Sequence, residues 1–205
     1  MPNDEILRAV NDRRAVFDAA ETNNHYALRI ARQIRDPWYR CQALACVARF
    51  APHGEFDERV DEALLAAFEA SNGYKRVAVS AWPLRALIER GQTAKLAELV
   101  PKLMTMAQAI EHPVSRMDAL GSLLDAVFPA GDPHRKSIFD EYAAACGGAN
   151  SWKAGRGLAA FAVRFAAIDA VFARAIVESM RDGPYKRRAI RELATARDLG
   201  TRSYF

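Results

Sequence analysis

Residues 24–49, NHYALRIARQIRDPWYRCQALACVAR, decide the fold, because the rest of the chain repeats weakened forms of this stretch. Its first half carries apolar residues at helical spacing, among them Tyr26 and Ile30. Asp36 can then cap the amides of a second helix, and Pro37 has a backbone φ that already suits the first turn. The stretch therefore predicts a helical hairpin.

Copies of this hairpin recur along the chain, and shifts of 76 and of 146 positions keep the register without a gap. Each second helix carries a small residue followed by a larger one. These pairs are Ala43-Leu44, Ala78-Val79, Ala119-Leu120, Gly157-Leu158 and Ala189-Ile190. Their spacings of 35, 41, 38 and 32 residues are typical of two-helix solenoid repeats. We therefore expect Leu44, Leu120 and Ile190 to be equivalent buried positions.

With this pattern the chain resembles the superfamily of α-helical-hairpin repeat proteins. A cation just inside the second helix, as in DPWYRCQAL, looks like the HEAT-like or tetratricopeptide-like repeats of bacterial proteins. The resemblance covers about residues 24–199. It implies an all-α fold, a right-handed-type α-α superhelix of about five helical-hairpin repeats with an N-terminal capping helix. The tetratricopeptide consensus is not met, so the repeat class stays open.

Length and composition, with 51% apolar and 26% charged residues, indicate one domain over residues 1–205, and the recurring hairpins predict that it is an α-solenoid. We divide it into an N-terminal cap (1–22), repeats at about 24–52, 56–91, 93–130, 132–166 and 168–199, and a tail (200–205). No apolar run is long enough for a membrane helix, and the first residues lack the apolar segment of a signal peptide. Three cysteines, an odd number, favour packing thiols over disulfides. These features predict a cytoplasmic location.

Several residues carry specific structural expectations. Pro83 predicts a kink or a split in its helix, because proline cannot donate to the backbone ladder. Leu65 and Phe68 fall on the predicted apolar stripe of the helix near residues 57–70. Gly155 and Gly157 predict a close approach of neighbouring helices.

Nothing in the chain matches a catalytic motif such as HExxH, CxxC, GxSxG or a Walker-type loop. The four histidines are scattered, and Cys41 and Cys46 lie about 140° apart around a helix. The sequence therefore predicts no metal site and no cofactor. An enzyme with a pocket assembled from separate repeats stays an alternative.

Two sets of side chains recur at the starts of the second helices. Cations there oppose the helix macrodipole. They need either the carbonyl end of the preceding helix, an acid in the next repeat, or an acidic partner. Aromatic residues there either wedge between repeats or form a binding ladder. The candidates are Arg40, Arg76, Arg116, Lys153, Arg187, Arg188 and Arg191 among the cations, and Trp38, Tyr74, Trp152 and Tyr185 among the aromatics.

These features favour a non-catalytic scaffold that binds a protein or peptide through its concave face or its basic repeat edge. The alternative is a nucleic-acid-binding solenoid, similar to HEAT-like DNA glycosylases in architecture only. Residues 1–180 carry 22 Lys and Arg against 22 Asp and Glu, so the net charge of +4 lies in residues 181–205. That basic end is either a polar cap or a phosphate-binding surface.

Overall fold

The computed structural model describes residues 2–130, 134–149, 152–195 and Tyr204, and within these residues it contains helices and no strand. The expectation of an all-α fold is confirmed. The helices are α1 (Pro2–Ala19), α2 (Asn24–Gln33), α3 (Pro37–Arg49), α4 (Phe56–Phe68), α5 (Gly73–Glu89), α6 (Thr93–Gln108), α7 (Pro113–Val127), α8 (His134–Ala149), α9 (Trp152–Ala166), α10 (Ala170–Ser179) and α11 (Pro184–Thr195). Two short 3-10 helices span His53–Glu55 and Phe128–Ala130.

The odd-numbered helices contact one another in series, from α1 through α3, α5, α7 and α9 to α11. Each even-numbered helix contacts the odd-numbered helices before and after it in the chain. The contact between α7 and α9 is the sparsest in the odd-numbered series, and a cleft opens between these two helices.

Helix α3 lies at the centre of the first half of the molecule, where α1, α2, α4 and α5 all contact it. Every residue from 41 to 48 is buried, including Gln42. A helix that is apolar all round needs neighbours on every side. The stretch that opened the sequence analysis thus supplies a helix enclosed by four neighbours.

Capped turns separate the helices where the sequence places them. The Asp36 carboxylate accepts hydrogen bonds from the backbone amides of Trp38 (2.8 Å) and Tyr39 (3.3 Å), and Pro37 begins α3, as predicted. Gly91 ends α5 with a φ of 67°, a left-handed conformation that favours glycine.

Some packing expectations are wrong. Ile190 is 52% exposed, whereas Leu44 and Leu120 are buried. The following helix, α4, packs on α3, but no helix follows α11 in the described part of the chain. Leu65 and Phe68 are also exposed, because the buried stripe of α4 runs through Val60, Ala63, Leu64 and Ala67 instead.

Pro83 does not split its helix, since α5 runs through it from Gly73 to Glu89. Proline removes the amide that would bond to the carbonyl four residues earlier, which is that of Val79. The Cys41 thiol on α3 lies 3.5 Å from this carbonyl and donates to it. A neighbouring helix therefore supplies the donor that α5 lacks.

Some predicted boundaries lie outside the described residues. These are the first residues of the repeat predicted at about 132–166, the end of the repeat predicted at about 168–199, and the predicted tail at 200–205 apart from Tyr204.

Candidate binding face

Several of the cations at the starts of the second helices make hydrogen bonds and ion pairs within the protein. Arg40 donates to the carbonyl of Ile34 (3.2 Å), and it forms an ion pair with Glu69, the residue after the last of α4. Both Arg76 and Arg116 donate through Nε over 2.8 Å, to the carbonyls of Ala70 and Ile110 respectively. In α11 it is Lys186 that makes this contact, over 3.0 Å to the carbonyl of Met180.

Each of these four cations binds the carbonyl six residues earlier, at the end of the preceding helix. A charge that is unfavourable at the start of one helix is favourable at the carbonyl end of another. Compensation by the carbonyl end of the preceding helix, one of the three alternatives from the sequence, therefore applies to Arg40, Arg76 and Arg116. In α11 this role falls to Lys186 rather than to Arg187.

The remaining candidate cations lie on α9 and α11. Lys153 lies 3.7 Å from Asp118 on α7, and Arg188 pairs with Glu192 over 2.6 Å. Arg187 and Arg191 are exposed and flank the uncovered side chain of Ile190. The basic candidates thus separate into structural joints, cleft residues and one exposed edge of α11.

The aromatic candidates do not form one ladder. Trp38 and Tyr74 stack on each other across α3 and α5, with ring centroids 6.5 Å apart, and both are half-buried. Trp152 is 56% exposed beneath the guanidinium of Arg156. Tyr185 is half-buried and lines the cleft.

A cleft of about 600 Å³ lies along α7, α9 and α11. It carries both signs of charge next to aromatic rings. Its lining includes Asp118, Asp125 and Glu192, the cations Lys153, Arg156, Arg164 and Arg188, and the rings of Tyr74, Tyr142, Phe161 and Tyr185. Ion pairs join Asp118 to Lys153, Asp125 to Arg164 and Glu192 to Arg188.

Two glycines shape this cleft by admitting a ring from α8. A Cβ at Gly157 would lie 1.8 Å from the Tyr142 hydroxyl, and one at Gly121 would lie 3.2 Å from the ring. Gly155 similarly leaves room for Tyr185, at 2.9 Å. The predicted close approach at Gly155 and Gly157 is therefore one of a tyrosine ring to a helix backbone.

Tyr142 of the cleft and its hydrogen-bond partner Cys146 are held in their neutral forms. Burial raises the pKa of Tyr142 well above its usual range. Burial also raises the pKa of the Cys146 thiol to about 11, although the hydrogen bond with Tyr142 acts in the opposite direction. A phenol and a thiol in these states supply neither a general base nor a nucleophile at neutral pH.

Arg164 is the most enclosed cation of the cleft, with a side chain only 9% exposed. Its guanidinium lies 4.1 Å from the centre of the Phe128 ring and 5.1 Å from that of Phe161. One nitrogen pairs with Asp125, while Nε and Nη2 are buried without a partner. Ion pairing and ring contacts fix this side chain as part of the cleft wall.

Tyr204, which follows the last helix, packs against the same odd-numbered helices. Its ring meets Trp82 of α5 edge-on at 5.2 Å, and its hydroxyl donates to the Ser122 carbonyl of α7 over 2.9 Å. Tyr204 is only 3% exposed. We call Trp82 and Ser122 the Tyr204 seat, and Ser122 also lines the cleft.

The sequence reasoning placed Tyr204 in a tail and assigned it no contact. The signal available was a pair of aromatic residues, Tyr204 and Phe205, at the end of a polar segment. The seat and the cleft together form what we call the odd-helix face.

Elsewhere the thiols are packing groups. Cys41, Cys46 and Cys146 are free and buried, and burial raises the pKa of Cys46 to about 12. Among the described residues, no cluster of His, Cys, Asp and Glu is arranged to hold a metal ion. The described helices also include none with the length and hydropathy to cross a membrane.

No family model matches this chain, and comparisons with curated proteins and with solved structures find no similar protein.

Proposed function

We propose that this chain is a non-catalytic helical-repeat scaffold that binds an extended protein segment along its odd-helix face. The single observation that carries this proposal is Tyr204, an aromatic side chain from outside the helices that is buried on that face. Buried aromatic anchors dominate the affinity of protein interfaces. The face already accommodates one such anchor.

The repeat architecture belongs to the same proposal. Four turns carry the same bond from a cation to the carbonyl six residues earlier, and the odd-numbered helices contact each other in order. Both features support a superhelix of helical hairpins. Such an array offers an extended surface on one side.

The charges of the cleft support a peptide partner over a nucleic acid. Three acids stand among its four cations, and each of those acids is paired with a cation. A phosphate backbone would meet those acids, whereas a polypeptide with both signs of charge can complement them. The surface that favours the nucleic-acid alternative is the exposed edge of α11 at Arg187 and Arg191.

A peptide library selected against the whole chain tests this proposal. We expect the selected binders to lose affinity on the double variant Lys153→Glu, Arg156→Glu by about tenfold or more, as loss of a central contact does. The matched control is Lys102→Glu, an exposed lysine on α6 outside the cleft, which should change affinity less than about twofold.

A second measurement addresses nucleic acid. Labelled DNA and RNA should bind the unmodified chain no tighter than about 10 μM at about 150 mM salt. Micromolar or tighter binding that is lost in Arg187→Glu, Arg191→Glu would replace the peptide proposal with the nucleic-acid one.

A further inference from the structure

We infer that the Tyr204 seat is a recognition site for a tyrosine of the partner segment, and that Tyr204 occupies it in cis until the partner displaces it. This inference rests on the proposed function and names the side chain that the odd-helix face selects. The occupant is a tyrosine-bearing segment of another protein.

The geometry of the seat selects an aromatic ring. Trp82 is 6% exposed, and the Tyr204 ring stands at 81° to its indole, in the edge-to-face arrangement that aromatic pairs prefer. The same indole also contacts Phe17 of α1, with ring centroids 5.6 Å apart. A small side chain in place of Tyr204 would leave the indole edge uncovered.

The hydroxyl adds a preference for tyrosine over phenylalanine. It donates to the Ser122 carbonyl over 2.9 Å, within a site where Tyr204 is almost fully buried. A buried phenol requires such a partner, and a ring without the hydroxyl forgoes the bond. The Tyr204 seat therefore selects for both the aromatic ring and its hydroxyl group.

The seat continues into the cleft, which explains how a longer segment would bind. Ser122 belongs to both, and Asp118 lies one helical turn before it on α7. A segment that places its tyrosine in the seat can extend along α7 toward Arg156 and Arg188. The tyrosine provides the anchor and the cleft provides the charge complementarity.

Tyr204 competes with such a partner because it is tethered. Binding of a segment of the same chain is intramolecular, so its effective concentration at the site can reach about millimolar. A free peptide therefore meets a seat that is mostly filled, and its apparent affinity falls by the fraction of open seats. Emptying the seat should reveal the intrinsic affinity.

The test uses the full-length Tyr204→Ala variant and a labelled peptide of residues 196–205, ARDLGTRSYF, as the probe. Fluorescence anisotropy should show this peptide binding the variant at least about tenfold tighter than the unmodified chain. A peptide with Ala in place of its tyrosine should bind the variant at least about tenfold more weakly than the probe. A peptide with Phe there should bind about fivefold to tenfold more weakly.

Controls keep the result interpretable. Tyr26→Ala removes an exposed tyrosine on α2 and should leave probe binding as weak as in the unmodified chain. Circular dichroism establishes that Tyr204→Ala is folded, and Tyr204→Phe, which keeps the ring, serves as the second variant with a smaller gain. Equal affinity of the probe for the unmodified chain and for a folded Tyr204→Ala chain would overturn the inference, as would undiminished binding of the Ala peptide.

The two proposals fail in distinguishable ways. If Tyr204→Ala captures the probe while Lys153→Glu, Arg156→Glu has no effect on library-selected peptides, the seat stands and the cleft proposal falls. If those peptides depend on the cleft but bind equally to the unmodified chain and Tyr204→Ala, the seat inference falls alone.

Discussion

Cys41 and Pro83 lie on different helices, yet both determine the bonding of one carbonyl group. Pro83 deprives the Val79 carbonyl of its usual amide, and the Cys41 thiol donates to it instead over 3.5 Å. Burial raises the pKa of Cys41, which keeps the proton on sulfur. A thiol is a weak donor, so this bond stabilises α5 modestly.

A double-mutant cycle measures this coupling. Cys41→Ala alone should lower the free energy of unfolding by about 1–2 kcal/mol, because it removes a buried group and a donor. In the Pro83→Ala background the new backbone amide satisfies Val79, so the same substitution should cost about 0.5–1 kcal/mol less. Urea denaturation gives both values. Cys46→Ala, a buried thiol without this bond, should show no coupling to Pro83.

The burial of single residues was only partly predictable from the sequence. Helical periodicity placed Leu44 and Leu120 in the core, but it cannot report which neighbour covers a face, and Ile190 is exposed for that reason. Likewise, Gly157 signals space near a helix without identifying the occupant, which is the Tyr142 ring.

At the scale of elements, the turn between paired helices was the most predictable feature. Asp36-Pro37 caps α3 as expected. The helix dipole makes a cation at a helix start unfavourable, so a contact with the carbonyl end of the preceding helix was one of the predicted alternatives, and four turns show it. The cleft was not predictable, because it depends on the sparse contact between α7 and α9 and on a ring from α8. No local pattern encodes the separation of two helices that are distant in sequence.

The joint between helices gives a stability prediction. Arg116→Met should lower the free energy of unfolding by about 1.5–3 kcal/mol, because it removes a charge-assisted bond to the Ile110 carbonyl. Arg116→Lys should cost less than about 1 kcal/mol, since Lys186 makes the equivalent contact in α11. Arg156→Met, an exposed cation on α9, is the control and should change stability by under about 0.5 kcal/mol. Equal losses for Arg116→Met and Arg116→Lys, measured by thermal unfolding, would contradict the assignment.

At the scale of the whole molecule, the bond from Tyr204 to Ser122 spans 82 residues. It links the end of the described chain to α7, with α8 to α11 between them in sequence. In a linear series of helix pairs, the terminal pair opens most easily because it has one neighbour. This link gives the terminal pair a second attachment.

Hydrogen exchange tests that attachment. Amides of α10 and α11 should exchange at least about threefold faster in Tyr204→Ala than in the unmodified chain, because local opening of these helices no longer has to break the Tyr204 contact. Amides of α2 and α3 should exchange equally in both, since they lie at the other end of the series. The rates are read by mass spectrometry of peptic fragments. Equal rates for α10 and α11 in Tyr204→Ala and in the unmodified chain would mean that Tyr204 packs without restraining its neighbours.

The joint that recurs at Arg40, Arg76, Arg116 and Lys186 has an acceptor made of main chain. A main-chain oxygen is present whatever residue occupies that position, and here it belongs to Ile34, Ala70, Ile110 and Met180. The joint therefore requires one particular side chain at each of these four turns and sets no requirement on the residue that supplies the acceptor. Turns joined this way can differ in sequence and still keep the same bond between the two helices.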